Sequence, residues 1–229
     1  MVQNLRDLGG IKNIYGKELK NNCLIRSANL SQAEEIELDG IDTIIDLRTT
    51  EEKEQAPDLV YEKKYYHMPI FDKQIAGISH EKGTDNMGIP DMKVLYQNMI
   101  VENQNAIGSV LKTIMAQDYS SGAILWHCTE GKDRCGLITA LVLEMLDVDR
   151  GTIMNDYLKT NKINLPKATS IRERLRTVRG EAFAQSVYNA FIADKTYLEA
   201  SWKAMGKFYF NKLGISNDKI MEFRSKVLI

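Results

Sequence analysis

The sequence predicts an α/β fold, in which short apolar strands alternate with helices up to about residue 148 and helices alone make up the rest of the 229-residue chain. Three observations lead to this. Residues 122–126, Gly-Ala-Ile-Leu-Trp, are an apolar run entered from a Ser-Gly turn, too short for a helix and suited to a buried strand. Residues 136–146 are mostly apolar and free of proline, long enough for about three helical turns. After Asp149, a good N-cap, apolar residues recur at helical spacing to Ile229, with Asp194 and Ser216 as further cap candidates.

The other elements follow in order. Residues 41–47 read as a second strand and residues 61–68 as a third, edge-like one of mixed polarity. Residues 50–55 between them form a short acidic helix. Gly77, Gly83, Gly88 and Pro90 among polar residues mark 71–91 as the longest loop and a candidate lid, with His80 in it read as solvated. From Met92, Val94, Leu95, Met99 and Ile100, then Ile107, Val110, Leu111, Ile114 and Met115, have the spacing of two helices. The length suits one domain over residues 1–229 with a helical C-terminal part from about residue 150, since domains commonly run to about 100–200 residues.

The chemistry concentrates in residues 126–136, Trp-His-Cys-Thr-Glu-Gly-Lys-Asp-Arg-Cys-Gly. A strand delivers His127 and Cys128, and a helix begins near Gly136, so the loop between them lies at a helix N-terminus. Unpaired N–H groups and the positive end of the helix dipole gather there and suit a dianionic phosphate. Thr129, Glu130, Gly131, Lys132, Asp133 and Arg134 are the candidate phosphate-binding residues. Gly131 lets the backbone turn closely, and Arg134 offers a planar fork of donors that a lysine cannot reproduce. Lys132 adds a less directional charge. The same field favours the thiolate of Cys128, the nucleophilic form. Attack on phosphorus would give a cysteinyl-phosphate held by Arg134 and the loop N–H groups. No metal or cofactor is required.

The leaving oxygen needs a proton. Asp133 is the nearest candidate acid, with orientation of Arg134 or helix capping as its alternative role, and Asp46, at the end of the second strand, competes with it. His127 supports the loop through hydrogen bonding, since adjacent strand residues point to opposite faces. His67 reads as a core or surface histidine, because nothing with ligand spacing accompanies it. Lys167, Arg172, Arg174, Arg176 and Arg179 form a basic run that could grip an acidic phosphopeptide or an inositol head group, although charge runs are usually solvated helix faces. Phe183, Val187, Phe191, Tyr197, Trp202 and Phe208 read as core.

Composition excludes some classes. A net charge of −1 argues against a general nucleic-acid-binding surface. Three cysteines, two of them in the loop and one at Cys23, do not make a disulfide framework and favour a reducing compartment, by default the cytosol. Export after removal of a signal segment is the alternative. No stretch reaches the ~18 apolar residues of a membrane span, so stable membrane insertion is not expected.

The His-Cys-x-x-Gly-Lys-Asp-Arg pattern, followed by a small residue and Gly, resembles the loop of bacterial protein tyrosine phosphatases with dual or lipid specificity. Residues 4–10 (Asn-Leu-Arg-Asp-Leu-Gly-Gly), 24–31 (Leu-Ile-Arg-Ser-Ala-Asn-Leu-Ser), 46–52 (Asp-Leu-Arg-Thr-Thr-Glu-Glu) and 156–161 (Asp-Tyr-Leu-Lys-Thr-Asn) are similar to further segments of that family. The resemblance implies a single α/β domain around a mainly parallel sheet, the cysteine phosphatase fold. It also implies phosphotyrosine as substrate and, as in several members, phosphoserine or phosphoinositides. The Lys-Asp pair before the arginine is the feature linked there to lipid or broad specificity. Cys135 departs from the pattern, which has Thr or Ser after the arginine. A thiol is a weaker donor to the thiolate than a hydroxyl. Cys135 could instead trap an oxidised Cys128 as a disulfide, or merely pack as a small apolar residue. A phosphate-binding module without turnover and a thiol redox or arsenate-handling enzyme are the competing readings.

Overall fold

In the computed structural model, which describes residues 1–71 and 89–229, five strands form one sheet. They are β1 (Arg6–Asp7), β2 (Leu24–Ser27), β3 (Ile41–Asp46), β4 (Lys64–His67) and β5 (Ala123–His127). The order is β1-β2-β5-β3-β4, parallel throughout except for antiparallel β1. The mainly parallel α/β architecture expected from the sequence is present, and β4 is an edge strand.

Alternation along the strands divides the core between the two faces of the sheet. Leu24, Ile45, Ile124 and Trp126 join the large cluster under the helices, whereas Ile41, Ile44, Ala123 and Leu125 pack with Leu30, Ala33 and Leu38 on the other side. Both faces of β5 are therefore buried, which is why its sequence is uninterruptedly apolar.

Helix α1 (Thr50–Gln55) follows β3 and starts with a reciprocal capping box: Thr49 Oγ1 accepts from the Glu52 N–H and Glu52 Oε2 from the Thr49 N–H. Helices α2 (Met92–Glu102) and α3 (Gln104–Ala116) precede β5, and α4 (Asp133–Met145) leaves it. Helix α4 starts three residues earlier than its apolar run suggests, because Asp133 and Arg134 already sit in its first turn. The C-terminal part consists of α5 (Arg150–Lys159), α6 (Asn161–Arg179), α7 (Glu181–Phe191), α8 (Lys195–Met205), α9 (Tyr209–Lys212) and α10 (Asn217–Val227). Asp149, Asp194 and Ser216 cap α5, α8 and α10. The basic run lies on α6, where Arg172 pairs with Glu181 and Arg176 with Glu173, and Arg172 and Arg179 lie over Tyr188 and Phe183. Most of the candidate lid, with His80, lies outside the described residues. Among the described residues, no helix is long and apolar enough to cross a membrane.

Candidate active site

Strand register places the site. Ser27 of β2 and Asp46 of β3 are both paired with His127 of β5, and Asp46 with His67 of β4, so the parallel strands end level with one another. The segments leaving those ends meet at the carboxyl edge of the sheet, where open α/β sheets place their ligand crevices.

The loop after β5 is held by its carbonyls. The Asn29 N–H and Asn29 Nδ2 both donate to the Thr129 carbonyl at 3.1 Å. Asn4 Nδ2 donates to the carbonyls of Glu130 (3.3 Å) and Gly131 (2.9 Å), and Arg26 Nη2 to that of Gly131 at 2.7 Å. The Gly136 N–H donates to the Lys132 carbonyl at 2.8 Å. Among the described residues, nothing accepts from the backbone N–H groups of Thr129 to Lys132. A loop whose carbonyls are taken and whose amides are unpaired is an anion cradle. Gly131 is required twice over: its φ is +65°, and a Cβ there would lie 2.5 Å from the Ser27 carbonyl oxygen.

Arg26 is fully buried and is neutralised by Asp156, whose other oxygen takes Arg6 Nε at 2.9 Å. Burial would raise the Asp156 carboxyl, but Arg26 and Arg6 outweigh it and hold the group ionised, below its usual range.

Arg134 is equally fixed. Its Nη1 donates to Glu52 Oε2 at 2.6 Å and its Nη2 to Glu52 Oε1 at 2.7 Å, and Thr129 Oγ1 donates to the same Oε1 at 2.5 Å. Arg134 is 2% exposed, and its Nε has no partner among the described residues. A buried donor of that kind costs free energy until an acceptor reaches it. Burial works to raise the Glu52 carboxyl as well, yet Arg134, Thr129 and the Thr49 N–H hold it at about 2.

Cys128 is 3% exposed and begins this loop. Cys135 lies in the first turn of α4, fully buried, and its Sγ donates to the Trp126 carbonyl at 3.5 Å. Burial pushes the Cys135 thiol up to about 11, with Arg26 opposing and Cys128 adding to the rise. It is a protonated donor tied to backbone at neutral pH.

The two acid candidates separate. Asp133 Oδ1 accepts from Tyr96 Oη at 2.7 Å, and Lys132 Nζ lies 3.3 Å from the same oxygen. Asp46 is fully buried below the loop. It takes Arg48 Nε (2.9 Å) and the Arg48 N–H on Oδ1, and Arg48 Nη2 (2.9 Å) and Tyr65 Oη (2.7 Å) on Oδ2. Burial raises its carboxyl, but His127, Arg48 and Tyr65 together hold it far below the usual range. Such a carboxylate has no proton to give at neutral pH. His127 Nε2 stands 3.2 Å from Asp58 Oδ2, and Nδ1 is 3.4 Å from the Cys128 carbonyl. Asp46, Asp58 and His127 bring ligand-type atoms within 4.8 Å of one another, but Arg48 Nη2 already bonds both carboxylates. His67 Nε2 lies 2.9 Å from the Arg48 carbonyl, a structural contact.

Lys132 is directed away from the cradle that its sequence position suggests. Its Nζ donates to the Ala190 and Ile192 carbonyls at the C-terminal end of α7, where helix carbonyls lack partners and attract a cation. Glu130 at the rim pairs with Lys167 of α6 at 2.9 Å.

A family model described as "Tyrosine phosphatase family" matches residues 1–229. The chain belongs to that family. It is 30% identical over 148 residues to a tyrosine-protein phosphatase of Nostoc commune, a match covering 59% of this chain and 47% of that one. The chain thus spans about half the length of that relative. It is 26% identical over 216 residues to a Cupriavidus necator protein named provisionally as a tyrosine-protein phosphatase, covering 89% and 76% of the two chains. Over 88 residues it is 32% identical to the triple specificity protein phosphatase PtpB of Mycobacterium tuberculosis, covering 37% and 32%.

The four segments that carry the family resemblance all converge on the loop, but the roles of their residues are not readable from sequence. Asn4, Arg26, Asn29, Glu52 and Asp156 are local polar residues in sequence and loop supports only in space. The Thr-x-x-Glu spacing of residues 49–52 does signal a helix start. Nothing in it signals that the same Glu52 holds Arg134.

Proposed function

We propose that this chain is a phosphomonoesterase working through a cysteinyl-phosphate, with phosphotyrosine in proteins as its first substrate class. One observation carries the reading. Beside Cys128, the loop offers amides and an arginine Nε that have no partner among the described residues, and Glu52 has fixed that arginine's other two nitrogens. Donors arranged in advance around an anion need no reorganisation as charge shifts onto the equatorial oxygens.

The Cys128 thiolate attacks phosphorus as the bond to the leaving oxygen breaks, and Asp133 passes its proton to that oxygen. Water, giving a proton back to the Asp133 carboxylate, then cleaves the S–P bond and releases phosphate and free thiolate. Asp133 is preferred to Asp46 as the acid because Asp46 is an ionised, fully buried partner of Arg48. The name of the Mycobacterium tuberculosis relative supports testing phosphoserine and phosphothreonine too, and the Lys-Asp pair supports testing phosphoinositides. Three unpaired cysteines support a reducing compartment such as the cytosol.

The test is phosphate release by parent and Cys128→Ser proteins with a chelator present, on a phosphotyrosine peptide, a phosphoserine peptide and a phosphoinositide panel. Turnover that vanishes in the variant supports the thiol mechanism and ranks the substrates. A parent that binds phosphate without turning over any substrate would make it a binding module instead.

A further inference from the structure

Three helices meet behind Asp133 in a way that proton donation alone does not demand. Tyr96 of α2 is fully buried and its Oη lies 2.7 Å from Asp133 Oδ1. Tyr157 of α5 is 1% exposed, and its Oη lies 2.7 Å from that of Tyr96. The rings meet edge to face at 6.2 Å, and Tyr197 of α8 packs on Tyr96 at 5.8 Å between ring centroids. Gly136 makes room for Tyr157, since a Cβ there would lie 2.9 Å from its ring. Burial first, and then the nearby Asp133 charge, holds both phenols well above their usual range, so each keeps its single proton.

One proton per hydroxyl fixes the direction of the chain. Carboxylate Oδ1 can only accept from Tyr96, so Tyr96 in turn accepts from Tyr157. The nearest approach of Lys132 is to that same Oδ1, at 3.3 Å. Oδ2 has no hydrogen-bond partner among the described residues. A carboxyl that accepts a hydrogen bond and faces an ammonium on one oxygen holds its proton more favourably on the other.

We infer that Tyr96, braced by Tyr157, is a positioning residue that ties Asp133 Oδ1 and thereby reserves Oδ2 for the proton given to the leaving oxygen. The inference rests on Asp133 being the acid, and adds which oxygen donates and what holds it. The phenols exchange no proton with substrate: the proton leaves Oδ2 as the P–O bond breaks and returns there from the attacking water.

The experiment compares kcat/KM on phenyl phosphate, whose leaving group needs a proton, with 2,4-dinitrophenyl phosphate, whose leaving group does not. The variants are Asp133→Asn, Tyr96→Phe, Tyr157→Phe and the Tyr96→Phe/Asp133→Asn pair. Asp133→Asn should lose about 100-fold more on phenyl phosphate than on the dinitrophenyl ester, the lower end of what a positioned acid contributes. Tyr96→Phe should show the same selective loss at about tenfold, and no further loss when combined with Asp133→Asn, the non-additivity of two residues acting as a unit. Tyr157→Phe, which leaves the Tyr96 hydroxyl in place, should show a smaller loss of the same selectivity.

Equal losses on both esters for Tyr96→Phe, or a loss that persists in full in the double variant, would reduce Tyr96 to a packing residue and overturn the inference. An Asp133→Asn protein with no preference between the esters would instead remove the acid assignment, and the inference with it. If Tyr96→Phe unfolds, the selectivity of Tyr157→Phe decides, and its absence counts against the chain.

Discussion

Glu52 grips both terminal nitrogens of Arg134, at 2.6 and 2.7 Å, from the first turn of a helix that follows a different strand. The arginine of the anion loop is thus aimed by an element 82 positions earlier in the sequence.

Breaking that pair should be costly. Glu52→Gln leaves the Arg134 charge buried without its carboxylate, and removing one partner of a buried ion pair typically costs about 3–5 kcal/mol. Urea unfolding at pH 7 would read this. The pH dependence supplies a second check. The folded carboxyl lies at about 2, below the ~4.3 of an unfolded glutamate, so its stabilisation is complete above about pH 4.5 and is lost as pH falls towards 2. The substitution should flatten the stability curve in that window, and an unchanged curve would show that Glu52 is not the paired group.

Asp133→Asn and Asp46→Asn should fail differently. The first should lose the basic limb of the pH–rate profile and about 10²–10⁴ in rate. The second should keep the basic limb while losing stability, because Arg48, 1% exposed, would face its remaining partner Asp58 alone. Reversed profiles would exchange the assignments, and two unaltered profiles would exclude both.

Alkylation should distinguish the two loop cysteines. The Cys135 thiol lies at about 11 and is fully buried against the Trp126 carbonyl, so iodoacetate at pH 7 should label Cys128 and spare Cys135 until the protein unfolds. Mass spectrometry of the labelled peptides reads this directly. Comparable labelling of Cys135, or dithiothreitol recovery after peroxide that depends on Cys135, would restore its redox role.

Lys132→Met should separate charge from position. Its ammonium is spent on the Ala190 and Ile192 carbonyls, so competitive inhibition by phosphate should weaken far less than in Arg134→Lys, while the thermal midpoint falls. A loss of phosphate affinity matching that of Arg134→Lys would place the Lys132 charge in the cradle after all.

Much of the fold is open to reading because local pattern decides it. The apolar run ending at Trp126 suits a strand buried on both faces, and Thr49-x-x-Glu52 suits the opening of a helix. The apolar pattern places the start of α4 three residues late, since the polar Lys132-Asp133-Arg134 stretch hides a first turn whose residues serve the loop rather than the core. The loop is legible as a pattern for the same reason: Cys128, Gly131 and Arg134 stand within a few residues of one another between a strand and a helix.

The loop, the strand before it and the helix after it are written in the order of neighbouring residues, because each depends on contacts a few positions apart in the chain. Which of the loop's charges are free emerges only when the chain folds. Lys132 and Asp46 carry the right groups at the right sequence positions, yet one is consumed by a helix end and the other by Arg48, while Glu52, Arg26 and Tyr96 come to touch Arg134, the Gly131 carbonyl and Asp133. A side chain's availability depends on the partners that burial forces on it, and those partners come from segments that only meet when the sheet aligns its strand ends.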